Sequence, residues 1–172
     1  MIKGHIMNLY LVRHAIAEDT AASGRDADRA LTADGKAKMR RAAEGLRASG
    51  VRLDVILTSP FRRAVETAEI VARAVGGTET HVLAELSAGA DIAAVLSALR
   101  PYRHVEELAL VGHQPDLGLL ASQVMTGSPA TCPLGFKKGG VACFEIPAPR
   151  GALRGELVWL MTPKQLRSLG EG

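Results

Sequence analysis

Imidazole and guanidinium side chains occur at the ends of three apolar runs in this sequence. Arg13 and His14 end the run in "LYLVRHA". Arg63 follows the run in "VILTSPFRR", and His113, directly after Gly112, ends the run in "LALVGH". Guanidinium groups match the oxygens of a phosphate or a carboxylate, because their planar fork can donate two parallel hydrogen bonds. Imidazole can attack phosphorus and carry the phosphoryl group covalently. These residue types together favour phosphoryl chemistry.

The segments around these residues alternate between strand and helix patterns. The helix after the first strand has Met39, Ala42 and Leu46 on one face, with Thr32 as its N-cap and Gly50 as its stop. Strands are predicted at 9–12, 53–59, 81–86, 108–113, 139–146 and 155–162, and further helices at 60–75, 92–99, 115–125 and 163–169. The alternation predicts an α/β fold, a three-layer α/β/α sandwich around a mainly parallel mixed sheet, in which the last two strands form an antiparallel pair.

Parallel strands explain why reactive groups from distant segments should meet. In open α/β sheets, ligands bind in the crevice outside the carboxyl ends of the strands. Three of the predicted strands end in the groups named above, so we expect those groups to share one pocket. Helix starts after Pro60 and Pro115 would add backbone N–H donors for an anion.

Composition excludes several other classes of protein. Aromatic residues are only 3% of the chain, which disfavours a base-stacking surface, and the net charge of +3 is spread without a basic block, so nucleic acid is not an expected partner. The two cysteines lack the spacing of a zinc or redox site and favour a reducing compartment. No apolar run reaches the length of a membrane span and no secretory signal is seen, so the expected location is the cytoplasm, without membrane contact.

A chain of 172 residues is expected to form one domain with one site. We place that domain at residues 7–172. Residues 1–6, "MIKGHI", fit no element and are interpreted as an extra N-terminal segment or a cloning remnant, so His5 receives no role.

The motifs resemble those of the histidine phosphatase superfamily, which has the phosphoglycerate-mutase-like fold. The resemblance is carried by "LVRHA", "TSPFRRAVETAE" and "VGHQP" in this order. Within the superfamily, "RALTADG", "LAEL" and "LMTPKQLRSL" look most like the SixA-type phosphohistidine phosphatases. The likeness extends from Met7 to Leu169, and the order of the segments makes it more specific than any one of them.

The resemblance implies a role for each matching residue. His14 is implied to be the nucleophile that is transiently phosphorylated, with Arg13 and Arg63 binding phosphoryl oxygens. His113 is implied to donate to the phosphoryl group, and Gly112 to allow a close approach of the backbone to it. No metal and no cofactor are implied.

Three further residues lie in or beside the matching segments. Glu85 in "LAEL" matches the acidic residue that protonates the leaving group in the wider family. A phosphohistidine substrate could do without such an acid, because its imidazole leaving group is protonated more easily than an alkoxide. Arg29 either lines the mouth of the pocket and binds phosphate, or pairs with Asp26 or Asp28. Arg62 ranks below Arg63, because the family pattern varies at that position.

Several functions remain open from the sequence. The leading hypothesis is a phosphatase that removes phosphate from phosphohistidine in a protein of a phosphorelay, because only "GGTET" joins the second helix to the third strand and the site would be open. The alternatives are a phosphatase for a small phosphoester or polyphosphate, a mutase, and a non-catalytic module that binds phosphorylated partners. The oligomeric state is not defined by the sequence.

Overall fold

The described residues, 6–147 and 151–171 of a computed structural model, form six β-strands and five α-helices. The strands are β1 (Ile6–Arg13), β2 (Val55–Thr58), β3 (Glu79–Val82), β4 (Glu107–Gly112), β5 (Val141–Pro147) and β6 (Glu156–Met161). The helices are α1 (Ala33–Ala48), α2 (Arg62–Ala74), α3 (Ile92–Ala98), α4 (Asp116–Thr126) and α5 (Pro163–Leu169). Short 3₁₀ turns occur at Asp26–Asp28, Ala84–Leu86 and Arg100–Tyr102.

All six strands belong to one sheet with the order β3-β2-β4-β1-β5-β6. The four strands from β3 to β1 are parallel. β5 runs antiparallel to β1, and β6 runs antiparallel to β5. The mainly parallel mixed sheet with an antiparallel final pair is therefore confirmed.

Alternating side chains of the strands pack against helices on both faces of the sheet. Tyr10 and Val12 of β1 point into the core that contains α1, α2 and α5, whereas Leu9 and Leu11 point into the core that contains α3 and α4. This period of two is what a strand buried on both faces requires. The three-layer sandwich follows from it and agrees with the sequence prediction.

Helix α1 shows how local signals set the elements. Its N-cap Thr32 accepts a hydrogen bond from the Gly35 N–H at 2.9 Å, as predicted, and Met39 and Leu46 are buried on its inner face. Gly50, the predicted stop, has φ of +87°, a left-handed conformation that glycine adopts without steric cost.

The third strand differs from the prediction at 81–86. β3 ends at Val82, and Ala84–Leu86 is a 3₁₀ turn, so Glu85 does not lie on a strand. The reason is that the neighbouring strand β2 already ends at Thr58, whose carbonyl accepts the Leu83 N–H at 2.8 Å, and no ladder partner follows. The chain then turns to bury Leu86.

The first strand also begins earlier in the structure than the sequence predicts. β1 begins at Ile6, which pairs with Pro147, so one residue of the segment excluded from the predicted domain is part of the sheet. Residues 1–5, including His5, lie outside the described residues, as do 148–150 in the predicted link between the last two strands. In the part of the chain that the structure describes, no helix has the length and apolar character needed to cross a membrane.

Candidate active site

The carboxyl ends of β1, β2 and β4 bring the three polar clusters together. In the β1–β4 ladder Arg13 is paired with Gly112, and the His14 N–H donates to the Gly112 carbonyl at 3.1 Å. At the end of β2, the Ser59 N–H donates to the Val111 carbonyl at 2.9 Å. The predicted convergence at one edge of the sheet is thus present.

His14 is buried and held in one tautomer. Its side chain is 6% exposed, and Nδ1 lies 2.7 Å from the Ala15 carbonyl oxygen. Since a carbonyl oxygen only accepts hydrogen bonds, Nδ1 carries the proton and Nε2 keeps its lone pair. Burial, together with the charges of Arg63, Arg13 and Lys138, lowers the pKa of His14 to about 4. At neutral pH the imidazole is therefore uncharged, and its Nε2 lone pair is free.

His113 lies beside His14 across the two strand ends. The ring centroids are 5.2 Å apart, and His113 Nε2 lies 2.8 Å from Ser59 Oγ. Ser59 Oγ accepts the Phe61 N–H at 3.2 Å, which leaves its own proton available to His113. Burial, with further effects from His14 and Arg63, lowers the pKa of His113 to about 3.

Arg63 projects from the first turn of α2 into the same site and is 5% exposed. Its Nη1 donates to the Asp26 carbonyl at 2.7 Å, and its Nη2 donates to Asp26 Oδ2 at 2.9 Å. The guanidinium carbon lies 5.0 Å from the centre of the Phe61 ring, which itself lies 5.0 Å from the His113 ring. These contacts hold the guanidinium in one orientation.

Arg13 also contributes positive charge near His14. Its Nη1 donates to the Phe136 carbonyl at 2.5 Å, and burial lowers the pKa of the guanidinium. The backbone around it is held by the loop before β5, because the Gly139 N–H donates to the carbonyls of Arg13 and His14 at 3.1 Å.

Three buried side-chain nitrogen atoms of the cluster have no hydrogen-bond partner among the described residues. They are Arg13 Nε, Arg63 Nε and His113 Nδ1. Unpaired polar groups are costly in a protein interior, so their concentration at one place indicates a binding function. With the Ser59 hydroxyl donating to His113 Nε2, all three nitrogens can donate, and three donors around an uncharged imidazole are suited to a tetrahedral oxyanion such as a phosphoryl group.

The remaining predicted residues lie around this cluster. Arg29 pairs with Asp26 at 2.7 Å, which is one of the two arrangements that the sequence left open. Asp26 also accepts from Arg63, so this carboxylate links the two arginines. Arg62 is exposed and bonds Glu66 at 3.1 Å, and its lower rank relative to Arg63 stays a prediction. Glu85 is exposed on its 3₁₀ turn.

Gly112 has a packing role in addition to its place at the strand end. A Cβ atom on Gly112 would lie 3.3 Å from the Leu117 side chain of α4. Its carbonyl also accepts the His14 N–H. Its proposed close approach to the anion stays a prediction.

Two contributors were not assigned to the site from the sequence. Asp26 orients Arg63 through the 3₁₀ turn Asp26–Asp28, and Lys138 adds positive charge near His14. Asp26 was named only as a partner of Arg29, and no local pattern links it to a helix 37 residues further on.

Comparison with known proteins agrees with this geometry. A family model for the histidine phosphatase superfamily (branch 1) matches residues 9–90. The phosphohistidine phosphatase SixA of Escherichia coli (strain K12) is 29% identical over 164 residues, which cover 94% of this chain and 97% of that protein. This chain belongs to the histidine phosphatase superfamily.

Two further members of the comparison extend the likeness across the whole fold. An uncharacterized protein of Picosynechococcus sp. is 37% identical, with coverage of 93% of this chain and 99% of that protein. The structure of the protein histidine phosphatase SixA complexed with tungstate has a TM-score of 0.82 and 28% identity, covering 93% of this chain and 99% of that chain. Membership of the superfamily and these relatives support phosphatase activity.

Proposed function

We propose that this protein is a phosphohistidine phosphatase that acts through a covalent phosphohistidine on His14. The observation that carries the proposal is the uncharged His14 Nε2 beside three buried N–H donors without partners. A nucleophile and an oxyanion-binding set at one place are the two requirements of covalent phosphoryl transfer.

Each donor has one part in this proposal. Arg13 Nε, Arg63 Nε and His113 Nδ1 bind the oxygens of the phosphoryl group. Ser59 donates to His113 Nε2, which keeps the His113 proton on Nδ1, where it can be donated. Arg29 acts through Asp26, which positions Arg63.

The reaction has two steps. His14 Nε2 attacks phosphorus in line, the bond between phosphorus and the substrate imidazole breaks, and the leaving nitrogen takes up a proton. Water then attacks the phosphorylated His14, and inorganic phosphate and free His14 are released. Charge on the transferring group is held by fixed donors, so positioning and electrostatics supply the catalysis.

Two observations support phosphohistidine as the substrate. The E. coli relative carries the name phosphohistidine phosphatase SixA. Glu85, the residue matched to the leaving-group acid, is exposed on its 3₁₀ turn, and an imidazole leaving group has less need of a general acid than an alkoxide.

A protein is favoured as the carrier of the phosphohistidine. β3 ends at Val82, at the edge of the sheet where the site lies, and α3 begins at Ile92, so only the short segment 83–91 follows that strand beside the site. The turn between α2 and β3, on which the expectation of an open site was based, lies at the opposite edge of the sheet. We propose a phosphotransfer protein of a phosphorelay as the partner. The free thiols of Cys132 and Cys143 support a reducing compartment such as the cytoplasm.

The proposal predicts acid-labile phosphate on His14. The protein is mixed with a phosphotransfer protein labelled on histidine, and with an aryl phosphate in parallel, and each reaction is quenched within the first turnover. We expect rapid labelling of His14 and release of phosphate from the phosphoprotein. The His14→Ala variant is expected to lose the label and at least roughly 10³-fold in kcat/KM, because the nucleophile is absent.

The matched control is His104→Ala, which changes a histidine outside the cluster. If the aryl phosphate is hydrolysed efficiently while the phosphoprotein keeps its phosphate, the proposal is wrong and the protein is a phosphatase for small phosphoesters. Absence of label and turnover with both donors would indicate a binding module.

A further inference from the structure

A cavity of about 210 Å³ lies next to the active site and has no part in the reaction described above. It is formed between α1, α5 and the loop that contains Lys138 and Gly139. Ala15, which directly follows the nucleophile, is one of its walls. Lys138, another lining residue, is close enough for its charge to act on His14, so a group bound in the cavity would lie near that imidazole.

The charged groups lining this cavity are all cationic. Lys38, Lys138 and Arg167 contribute to its lining, and none of the described residues that line it is acidic. Lys38 pairs with Asp34 at 2.7 Å, but both side chains are about half exposed, so this ion pair is weak and exchangeable. Arg167 has no ion-pair partner within residues 6–147 and 151–171. An anionic group is the complementary ligand.

The cavity also has apolar walls, formed by Ile16, Met39 and Pro163. Its volume of about 210 Å³ is below the roughly 300 Å³ at which small-molecule sites begin, so it suits one side chain better than a whole metabolite. A glutamate side chain has an aliphatic stem for such walls and a carboxylate for the cations.

We propose that this cavity binds a glutamate side chain of the phosphoprotein, next to the phosphohistidine that enters the active site. The proposal rests on the proposed function, since it names a feature of that substrate. It makes Lys38 and Arg167 residues that select acidic partners. Lys138 also acts on the charge state of His14, so its substitution would mix docking with chemistry.

The test uses the double variant Lys38→Glu, Arg167→Glu. The control is Arg40→Glu, Arg47→Glu, which makes the same change of charge at exposed positions of α1 that do not line this cavity. The probe is a phosphotransfer protein with a glutamate beside its reactive histidine, together with its Glu→Gln variant. Calorimetry measures binding of the unphosphorylated probe, and phosphate release measures kcat/KM of the phosphorylated one.

We expect the cavity variant to bind the glutamate probe at least about tenfold more weakly than wild type, with a matching loss in kcat/KM, and the control variant to keep both. The Gln probe should bind wild type as weakly as the glutamate probe binds the cavity variant. Turnover of phosphoramidate, which has no side chain to place in the cavity, should change less than twofold.

Equal binding of the glutamate probe by wild type and cavity variant would overturn the proposal. So would equal binding of the glutamate probe and the Gln probe by wild type, which would show that the cavity does not recognise the glutamate side chain. Binding with this pattern but without turnover would refute the proposed phosphatase function and leave the cavity proposal standing. If the reversed charges prevent folding, Lys38→Gln, Arg167→Gln replaces the variant.

Discussion

At the residue scale, the two histidines of the candidate active site have pKa values far from that of histidine in water, because both side chains are buried. Burial lowers the pKa of His14 to about 4 and that of His113 to about 3, from an ordinary value near 6.5. The unfolded chain therefore binds more protons than the folded one between pH 6.5 and these values. The uncharged imidazoles stabilise the fold fully only above pH 6.5.

This shift predicts that the free energy of unfolding falls as the pH is lowered from 7.5 to 5. The expected slope is up to about 1.4 kcal/mol per pH unit for each imidazole. Urea unfolding at pH 7.5, 6.5 and 5 measures it, and His14→Gln or His113→Gln should each reduce the slope. Arg63 lowers the pKa of Asp26, so the stability that the ionised Asp26 contributes is lost only at more acidic pH. A wild-type stability that does not change over this range would contradict the shifted pKa values.

Asp26 provides a second prediction at the residue scale. Asp26→Ala removes the carboxylate that accepts from Arg63 Nη2 and Arg29, while the bond from Arg63 Nη1 to the backbone carbonyl can remain. Because Asp26 is half exposed and one bond is kept, we expect kcat/KM to fall roughly tenfold, with the fold intact.

The matched control is Asp28→Ala in the same 3₁₀ turn, since Asp28 bonds Arg25 and Ser23 on the surface. Steady-state kinetics with the phosphoprotein separate the two variants. Equal losses in both would mean that the turn as a whole, and not the carboxylate of Asp26, orients Arg63.

At the element scale, the contact between α1 and α5 depends on the absence of a side chain at Gly45. A Cβ atom at this position would lie 1.8 Å from the Leu166 carbonyl oxygen. Helix propensity alone predicts that alanine would be better than glycine by about 1 kcal/mol in a helix. The close approach of α5 reverses this preference.

Gly45→Ala is therefore predicted to destabilise the protein by roughly 1–3 kcal/mol or more, because α5 must move away from α1. Ala37→Gly, at an exposed position of the same helix, is the comparison and should cost about 1 kcal/mol from propensity alone. Urea unfolding of both variants measures the difference. A stability gain in Gly45→Ala would show that the helices can separate without cost.

At the scale of the whole molecule, the sheet order explains why the site has its composition. β4 lies between β1 and β2, so groups more than 50 residues apart in the chain become neighbours at one edge. The same arrangement gives the site two different flanks. The carboxylates of the 3₁₀ turn Asp26–Asp28 are all paired with arginines, whereas the region between α1 and α5 carries the positive charges of Lys38, Lys138 and Arg167. A partner with acidic groups on one side would be oriented by this asymmetry.

The sequence alone determined the fold class, most of the elements and the expectation that His14, Arg13, Arg63 and His113 would lie at one edge of the sheet. Periodicity, capping and turn residues are short-range signals, so α1 with Thr32 and Gly50 could be predicted closely. The end of β3 could not, because it depends on where the neighbouring strand β2 stops.

Only the tertiary structure decided how these side chains are held. The pairing of Asp26 with Arg63 joins segments 37 residues apart, and the depth of burial that keeps His14 uncharged results from the packing of every layer around it. The basic cavity likewise combines α1, the loop before β5 and α5. Contacts between distant segments and the dielectric they create have no local pattern, which is why they appear only in the folded chain.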